Sequence, residues 1–290
     1  TYVDSLPGDA DENGLIHTTF NQTIAATGRL SSINPNLQNI PIRTENGREI
    51  RKAFVTRKAG NRLLSADYSQ IELRVLAHLS GESGLIEAFS KNEDIHRRTA
   101  ALIFGVPVEK VEDSQRAMAK TVNFGIIYGQ SAFGLARQLN IENKEAANFI
   151  EAYFKTYPAI KGYMDATIES AREKGFVETL FGRRRHLPDI KSENRQVRSF
   201  AERIAINTPV QGTAADLIKI AMINVHRALT EEKIPAQMLL QVHDELVFEV
   251  PQKSVDDAIA AIRREMEGAV KLKVPVKVEV GEGEHWLEAH

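Results

Sequence analysis

The sequence predicts an α+β fold: an antiparallel sheet beside a separate, mostly helical region. Three observations predict it. Strand-like segments fall toward both ends of the chain, helical spacing dominates from Ser69 to about Ser199, and no internal repeat or low-complexity tract interrupts this order. Strands separated by so long a helical insert are expected to come together in one mostly antiparallel sheet, with the helices as a second lobe.

Taken in order, residues 1–60 are turn-rich, with one alternating segment at Leu15 to Asn21 and a Gly-Arg-Leu-Ser-Ser loop at 28–32. "RLLSADYS" (62–69) reads as a short strand. Helix faces follow at Ile71/Val75/Leu79, Leu85/Phe89 and Ile95/Thr99/Leu102/Ile103. Pro158 separates two helices in the run from Lys144 to Lys174, and "GFVETLFG" (175–182) reads as a brief hairpin. Helix returns after Asn194, breaks near Pro209 and resumes from Thr213 to about Thr230. "LLQVHDELVFEV" (239–250) then gives two strands, followed by a helix at 254–268 and a last strand at Val274 to Val280.

The chain has 290 residues, of which 42% are hydrophobic and 26% charged, the balance of an ordinary soluble globular protein. It contains no cysteine, so disulfides and thiolate metal sites are excluded and a reducing, cytoplasmic setting is expected. No apolar run reaches the roughly 18 residues of a membrane helix, so no membrane partner is expected. "TYVDSLPGDADENG" lacks a signal-peptide core and reads like the middle of a domain. The net charge of −2 hides an asymmetry: seven basic residues face three acidic ones across 183–203, while seven face thirteen from Glu231 onward. A basic middle beside an acidic end suits an anionic polymer and its metal counterions, or simply two solvated faces of opposite sign.

Two carboxylates stand out. In 239–250, Leu240, Val242, Asp244, Leu246, Phe248 and Val250 share one face at period two, so Asp244 occupies a place where an apolar residue is expected. An unpaired charge in an apolar layer costs roughly several kcal/mol, so either the chain turns at His243-Asp244-Glu245 or something positive meets the carboxylate. Asp67 ends the strand-like run at 62–69. Paired carboxylates on one sheet can hold Mg²⁺ for phosphoryl transfer. The plainer reading makes Asp67 a helix cap and Asp244 a turn residue, and Ser69-Gln70-Ile71-Glu72 has the form of a capping box.

A third stretch, "DSQRAMAKTVNFGIIYGQ" (113–130), starts with Asp113 or Ser114 as cap. Arg116, Lys120, Phe124 and Tyr128 recur every four residues, within one broad helix face. That face is cationic at its start and aromatic at its end, which suits a nucleotide; the alternative is a core helix whose basic residues snorkel. Gly125 weighs against a plain core helix and points to a close neighbour or a bend, while Gly129 can end the helix.

"SADYSQIELR", "RAMAKTVNFGIIYG" and "QVHDELVFEV" together resemble motifs A, B and C of family A DNA polymerases of the bacterial DNA polymerase I type. "TGRLSSINPNLQNIP" (27–41) and "NTPVQGTAADLIK" (207–219) extend the resemblance over almost the whole chain. It implies a right-hand architecture with an antiparallel-sheet palm at residues 1–75 and 198–290 and helical fingers at 76–197. It implies template-directed DNA synthesis by two-metal nucleotidyl transfer from deoxynucleoside triphosphates to a primer 3′-hydroxyl. Asp67, Asp244 and the Tyr68 carbonyl would hold two Mg²⁺ ions, for which Mn²⁺ can substitute, with Glu245 a supporting acid. His96, Arg116 and Lys120 would grip the triphosphate with Gln70 close by, Lys120 also giving a proton to pyrophosphate. Phe124 would pack on the sugar, Glu72 would exclude a 2′-hydroxyl, and Tyr128 would border the nascent pair. Arg29, Gln211, Arg203, Asn207 and His243 would meet the primer–template duplex near its terminus, where minor-groove contacts test pair shape rather than sequence.

The resemblance also implies a monomer working in the bacterial cytoplasm at the nucleoid, with thumb, exonuclease-like and 5′-nuclease domains preceding residue 1. Proofreading and 5′-nuclease activity are therefore not expected of this chain, which reads as a fragment or one part of a chimera. Three rivals remain. A single-subunit RNA polymerase would lack the acid at Glu72. An HD-type phosphohydrolase would use His243-Asp244 with His96 and Asp94, but on a helix. A catalytically inactive DNA-binding fragment would not need Asp67, Asp244, Arg116 and Lys120 intact.

Overall fold

The computed structural model describes residues 2–42 and 44–290; the first expected palm segment begins at residue 1, outside the described residues. The elements are α1 (Tyr2–Asp9), β1 (Thr19–Asn21), β2 (Ser31–Ile33), α2 (Glu45–Lys52), β3 (Asn61–Tyr68), α3 (Ile71–Ser80), α4 (Ser83–Ser90), α5 (Ile95–Phe104), α6 (Asp113–Ile127) and α7 (Ala132–Leu139). They continue with α8 (Asn143–Thr156), α9 (Pro158–Lys174), β4 (Phe176–Glu178), β5 (Arg184–His186), α10 (Arg195–Glu231), β6 (Gln237–Val242), β7 (Glu245–Pro251), α11 (Val255–Glu267), β8 (Val278–Gly283) and α12 (Trp286–Ala289). The chain divides into two compact units, one holding residues up to Ser69, Ala215–Lys271 and Val276–His290, the other Gln70–Ala214 and Leu272–Pro275. The divisions therefore fall at 69/70 and 214/215, against the 75/76 and 197/198 expected from the motifs.

The first unit is built on a four-stranded sheet in the order β6-β7-β3-β8, antiparallel at every step. β7 and β3 are the inner strands; the run Leu63 to Ala66 of β3 is buried throughout, and a strand covered on both faces needs no alternation of polar residues. α11 packs against β3, β7 and β8. Leu63, Val242 and Val247 join Leu6, Leu37, Ile40, Trp286 and Ala289 in one buried cluster. Each such large side chain contributes roughly 1.5–3 kcal/mol by leaving water. The Arg51 guanidinium lies 4.2 Å over the Trp286 ring, and Phe54 meets that ring edge-on at 5.5 Å. α12 sits so tightly on β8 that a Cβ at Gly283 would fall 2.6 Å from Glu288 Cβ and 2.7 Å from the Ala289 nitrogen. The first expected strand does not enter this sheet: β1 pairs only with β2, as a separate ribbon.

The second unit is helical apart from the β4–β5 ribbon and carries its own buried clusters. Ala171, Val177, Leu187, Ile190, Ala201 and Ala205 form one; Ala100, Ala101, Val111 and Ala119 form another. Pro158 stands at the first position of α9, where its missing N–H costs nothing, and so divides α8 from α9 as expected.

Several local expectations are corrected. The hairpin is real, but its second strand is 184–186 rather than part of 175–182, because the turn spans Thr179–Arg183 and is closed by Thr179 N–H to Arg183 O. α10 runs unbroken for 37 residues with Pro209 inside it. One lost hydrogen bond is outweighed there by burial on both sides of the proline, at Ala201, Ala205, Val210, Ala214, Leu217 and Ile218. The last strand is 278–283, not 274–280. Val274 is buried without being in a ladder, and the Pro275 carbonyl is taken by the Arg74 guanidinium.

The Ser69–Glu72 capping box does not form: α3 begins at Ile71 after Gln70, which adopts a left-handed φ of 54° and gives no side-chain cap. α6 is capped by Glu112, one residue before Asp113, in a reciprocal box with Gln115.

Candidate active site

The acidic residues collect at one end of the sheet, within the first unit. Antiparallel register sets Asp67 of β3 opposite Glu245 of β7 on one side and Glu279 of β8 on the other. β6 and β7 are joined by a two-residue loop, His243-Asp244, and the Tyr68 N–H donates to the Asp244 carbonyl at 3.2 Å. His243 takes a left-handed φ of 55°, which histidine tolerates better than most side chains. The tip is braced by Gln241: its side chain donates to the His243 carbonyl and accepts from Gln38 Nε2 at 3.0 Å. A turn, not a helix, therefore presents His243-Asp244, which removes the helical arrangement an HD-type phosphohydrolase requires.

Electrostatics at this end are strained in one direction. Burial, then the neighbouring Asp244 and Glu245 charges, push the Asp67 carboxyl up to about 7. Burial likewise raises Asp244, against the opposing pull of Arg29 and His243. Arg29 Nη2 stands 3.8 Å from Asp244 Oδ1, a loose pair on partly exposed side chains.

Glu245 is different. Burial works to raise it, but hydrogen bonds with His290 Nδ1 (3.4 Å), Trp286 Nε1 (2.9 Å) and Ser65 Oγ (2.7 Å) outweigh that, and its net shift is downward. Both its oxygens are committed to the protein. Tyr68 is fixed by its hydroxyl, which donates to the Met266 carbonyl at 2.7 Å. Among the described residues no trio of His, Cys, Asp or Glu forms a ready metal cage. What Asp67 and Asp244 offer is a pair of hard oxygen donors, both raised by burial, and Asp67 further by the Asp244 and Glu245 charges. That donor set fits Mg²⁺, which is commonly held by one or two carboxylates with water and phosphate completing its shell.

The cationic and aromatic residues lie in the second unit. Asp94 caps α5 by accepting from the backbone N–H of His96 (2.9 Å) and Arg97 (3.0 Å), and it receives Arg116 Nε at 2.6 Å from α6. Burial would raise the Asp94 carboxyl, yet these donors hold it below its usual value. Lys120 is exposed one turn on. The Phe124 ring lies 6.0 Å from His96 and 6.2 Å from Tyr128, so the three rings follow one another along the face. The Tyr128 hydroxyl donates to Glu72 Oε2 at 3.0 Å, tying the buried acid of α3 to the end of α6.

Burial, reinforced by Lys120 and Arg116 against Asp94, depresses His96 to about 4. Gln70 is oriented with its Oε1 buried and without a hydrogen-bond partner among the described residues. Gly129, at φ 63°, ends α6 as expected; a Cβ on Gly125 would fall 2.6 Å from Gln130 Oε1, so the close neighbour expected there is Gln130. Arg203, Asn207 and Gln211 lie at four-residue steps on α10, within one helix face.

Each cluster lies within a single unit: Arg29, Asp67, Tyr68, His243, Asp244 and Glu245 in the first, and Gln70, Glu72, His96, Arg116, Lys120, Phe124, Tyr128, Arg203, Asn207 and Gln211 in the second. Sequence reasoning missed the groups that hold these residues in place: Gln38, Gln241, Ser65, Trp286 and His290 around the carboxylates, and Asn123 beside His96. A glutamine inside an apolar strand was a visible signal at Gln241. Nothing marked Ser65 or Asn123.

Residues 1–288 match DNA polymerase family A. DNA polymerase I of Pseudomonas aeruginosa is 55% identical over 291 residues, which cover 100% of this chain and 32% of that protein. The thermostable DNA polymerase I of Thermus caldophilus is 54% identical over 290 residues, 100% of this chain and 34% of its own. The chain thus spans about a third of the length of the curated relatives it matches. Among solved structures, the POL domain of Pol1 from M. smegmatis, in complex with DNA primer-template and dNTP, superposes with a TM-score of 0.95 at 50% identity, over 99% of this chain and 51% of that one. With two acidic strand ends, a cationic helix face and a match along nearly its whole length, the chain belongs to DNA polymerase family A.

Proposed function

We propose that this chain carries the nucleotidyl-transfer machinery of a DNA-directed DNA polymerase, joining deoxynucleoside triphosphates to a primer 3′-hydroxyl on a DNA template, and that it acts as a monomer. The observation that carries the reading is the pair Asp67 and Asp244, brought from distant parts of the sequence to one sheet end despite mutual repulsion. Such a pair is stabilised by a hard divalent cation. Bound there, two Mg²⁺ ions, or Mn²⁺ in their place, would neutralise the triphosphate and ease deprotonation of the primer hydroxyl. Asp67, Asp244 and the Tyr68 carbonyl would hold them, and Glu245 would keep Asp67 and the hairpin tip in place.

The remaining roles follow the chemistry of each side chain. Arg116 and Lys120 would bind triphosphate oxygens, the guanidinium held in position by Asp94. Lys120, an exposed ammonium, would pass a proton to the departing pyrophosphate. The Phe124 ring would lie against the sugar, with Gln70 near the triphosphate and Tyr128 beside the new base pair. Glu72, held by the Tyr128 hydroxyl, would stand where a 2′-hydroxyl must come and so select deoxyribose. Arg29, Arg203, Asn207, Gln211 and His243 would meet the duplex at its terminus.

The test is primer extension with Mg²⁺, all four deoxynucleotides and a defined primer–template, beside Asp244→Ala. Extension by the parent chain and none by the folded variant is expected. Equal extension by both overturns the carboxylate assignment, and preference for ribonucleotides would favour the RNA polymerase reading.

A further inference from the structure

Behind His96 lies a small buried chain of polar groups to which no role has been given. His96, Thr99 and Asn123 are 2%, 1% and 0% exposed. The Thr99 hydroxyl donates to Asn123 Oδ1 at 3.2 Å, and Asn123 Nδ2 stands 3.0 Å from His96 Nδ1. α5 supplies Thr99 and His96 one turn apart, and α6 supplies Asn123 immediately before Phe124. The Phe124 ring then packs against the imidazole on another side, at 6.0 Å and 43°. His96 Nε2 has no hydrogen-bond partner among the described residues.

With the Asn123 amide oriented this way, the bonds set the state of the imidazole. A hydroxyl that donates to the carboxamide oxygen turns the NH₂ group toward Nδ1. An NH₂ can only donate, so Nδ1 must present its lone pair, and a neutral ring then carries its proton on Nε2. Burial beside Lys120 and Arg116 disfavours a second proton.

We propose that Thr99 and Asn123 are positioning residues that lock His96 as a neutral Nε2–H donor, so that its contact with a nucleoside triphosphate is directional rather than ionic. This rests on the nucleotide-binding reading of the α5–α6 face given above. It divides the labour there: Arg116 and Lys120 supply charge, and His96 supplies one hydrogen bond of fixed direction. The same two helices thus impose geometry through a relay that begins two side chains away from the ligand.

The experiment has two arms on the full chain. The first is ¹⁵N NMR of histidine-labelled protein near neutral pH without ligand, with the signal assigned among the eight histidines by its loss in His96→Gln. A proton on Nε2 is expected, with a shift toward mixed tautomers in Thr99→Val and return to the parent pattern in Thr99→Ser. A proton on Nδ1 in the parent overturns the proposal, because the amide must then be reversed. The second arm is single-nucleotide addition. Thr99→Val should raise KM for the deoxynucleotide roughly fivefold, the worth of one neutral hydrogen bond, with kcat within about twofold, and Thr99→Ser should restore it. An unchanged KM in a variant whose tautomer has shifted also overturns the proposal. The first arm gives its answer whether or not the chain turns over, so failure of the polymerase reading is seen separately.

Discussion

The sheet end and the α5–α6 face each contain a partly buried aspartate, and the two behave oppositely. Asp94 is surrounded by donors: two backbone N–H groups and the Arg116 guanidinium, which together hold its carboxyl low. Asp67 is buried with carboxylates for neighbours, and burial first, then those charges, raise its carboxyl to about 7. The same side chain is thus a finished structural part in one place and an incomplete one in the other. A carboxylate that the fold leaves short of positive partners is where an external cation gains most, and a carboxylate already saturated is where it gains least.

The largest expected effect tests that contrast in activity. Asp67→Ala and Asp244→Ala should each lower nucleotide addition by about a thousandfold or more, the loss of several kcal/mol of charge stabilisation, while primer–template binding survives. Stability should show opposite signs. In cation-free buffer at pH 8, Asp67→Asn should raise Tm by about 2–4 °C, whereas Asp94→Ala should lower stability by about 1 kcal/mol through loss of the α5 cap. The sign for Asp67 follows from its raised folded pKa: its stabilising proton is fully present below about pH 4 and is lost as pH rises through about 7. Thermal unfolding of both variants is the check, and like signs would erase the contrast.

Next in size is a pH effect within the helical unit. His96 falls to about 4 in the folded chain against roughly 6.5 unfolded, so the unfolded state takes up its proton first on acidification. Its contribution is complete above about pH 6.5 and is lost as pH falls toward 4, a change of roughly 2–3 kcal/mol, and His96→Gln should flatten that slope. Urea unfolding at stepped pH would measure it.

A smaller effect concerns the sugar. Glu72→Ala should improve ribonucleotide use by about tenfold or more, and Tyr128→Phe, which removes one hydrogen bond to Glu72, by about fivefold. Competition between ribo- and deoxynucleotides in single additions separates the two. The smallest expected change is Ser65→Ala, which takes one of the donors from Glu245 and should cost about 1 kcal/mol of stability while the other donors remain.

Much of this was readable in the sequence where chemistry and pattern disagree. Asp67 and Asp244 announced themselves as charges in apolar runs, and the four-residue steps of Arg116, Lys120, Phe124 and Tyr128 predicted that these side chains follow one another along α6. Other features depend on tertiary context. The Ser69–Glu72 pattern suggested a cap, but Gln70 turns left-handed on leaving β3 and Glu72 answers to Tyr128 instead. Pro209 signalled a break that buried neighbours on both sides override. Val274 and Val276 alternated as a strand should, but they are buried without entering the ladder, which begins at Val278. The groups that hold Glu245 in place come from β3, α12 and His290, and no local pattern links them.

The Gln130 side chain fills the space that a methyl group on either Gly125 or Gly134 would need, 2.6 Å and 2.9 Å away, and its amide then reaches Gln138. Three positions are therefore coupled through one side chain. An alanine at 125 would meet only the swinging end of Gln130, whereas one at 134 would meet its Cγ, close to the backbone. Shortening the side chain at 130 should therefore ease a substitution at 134 more than one at 125.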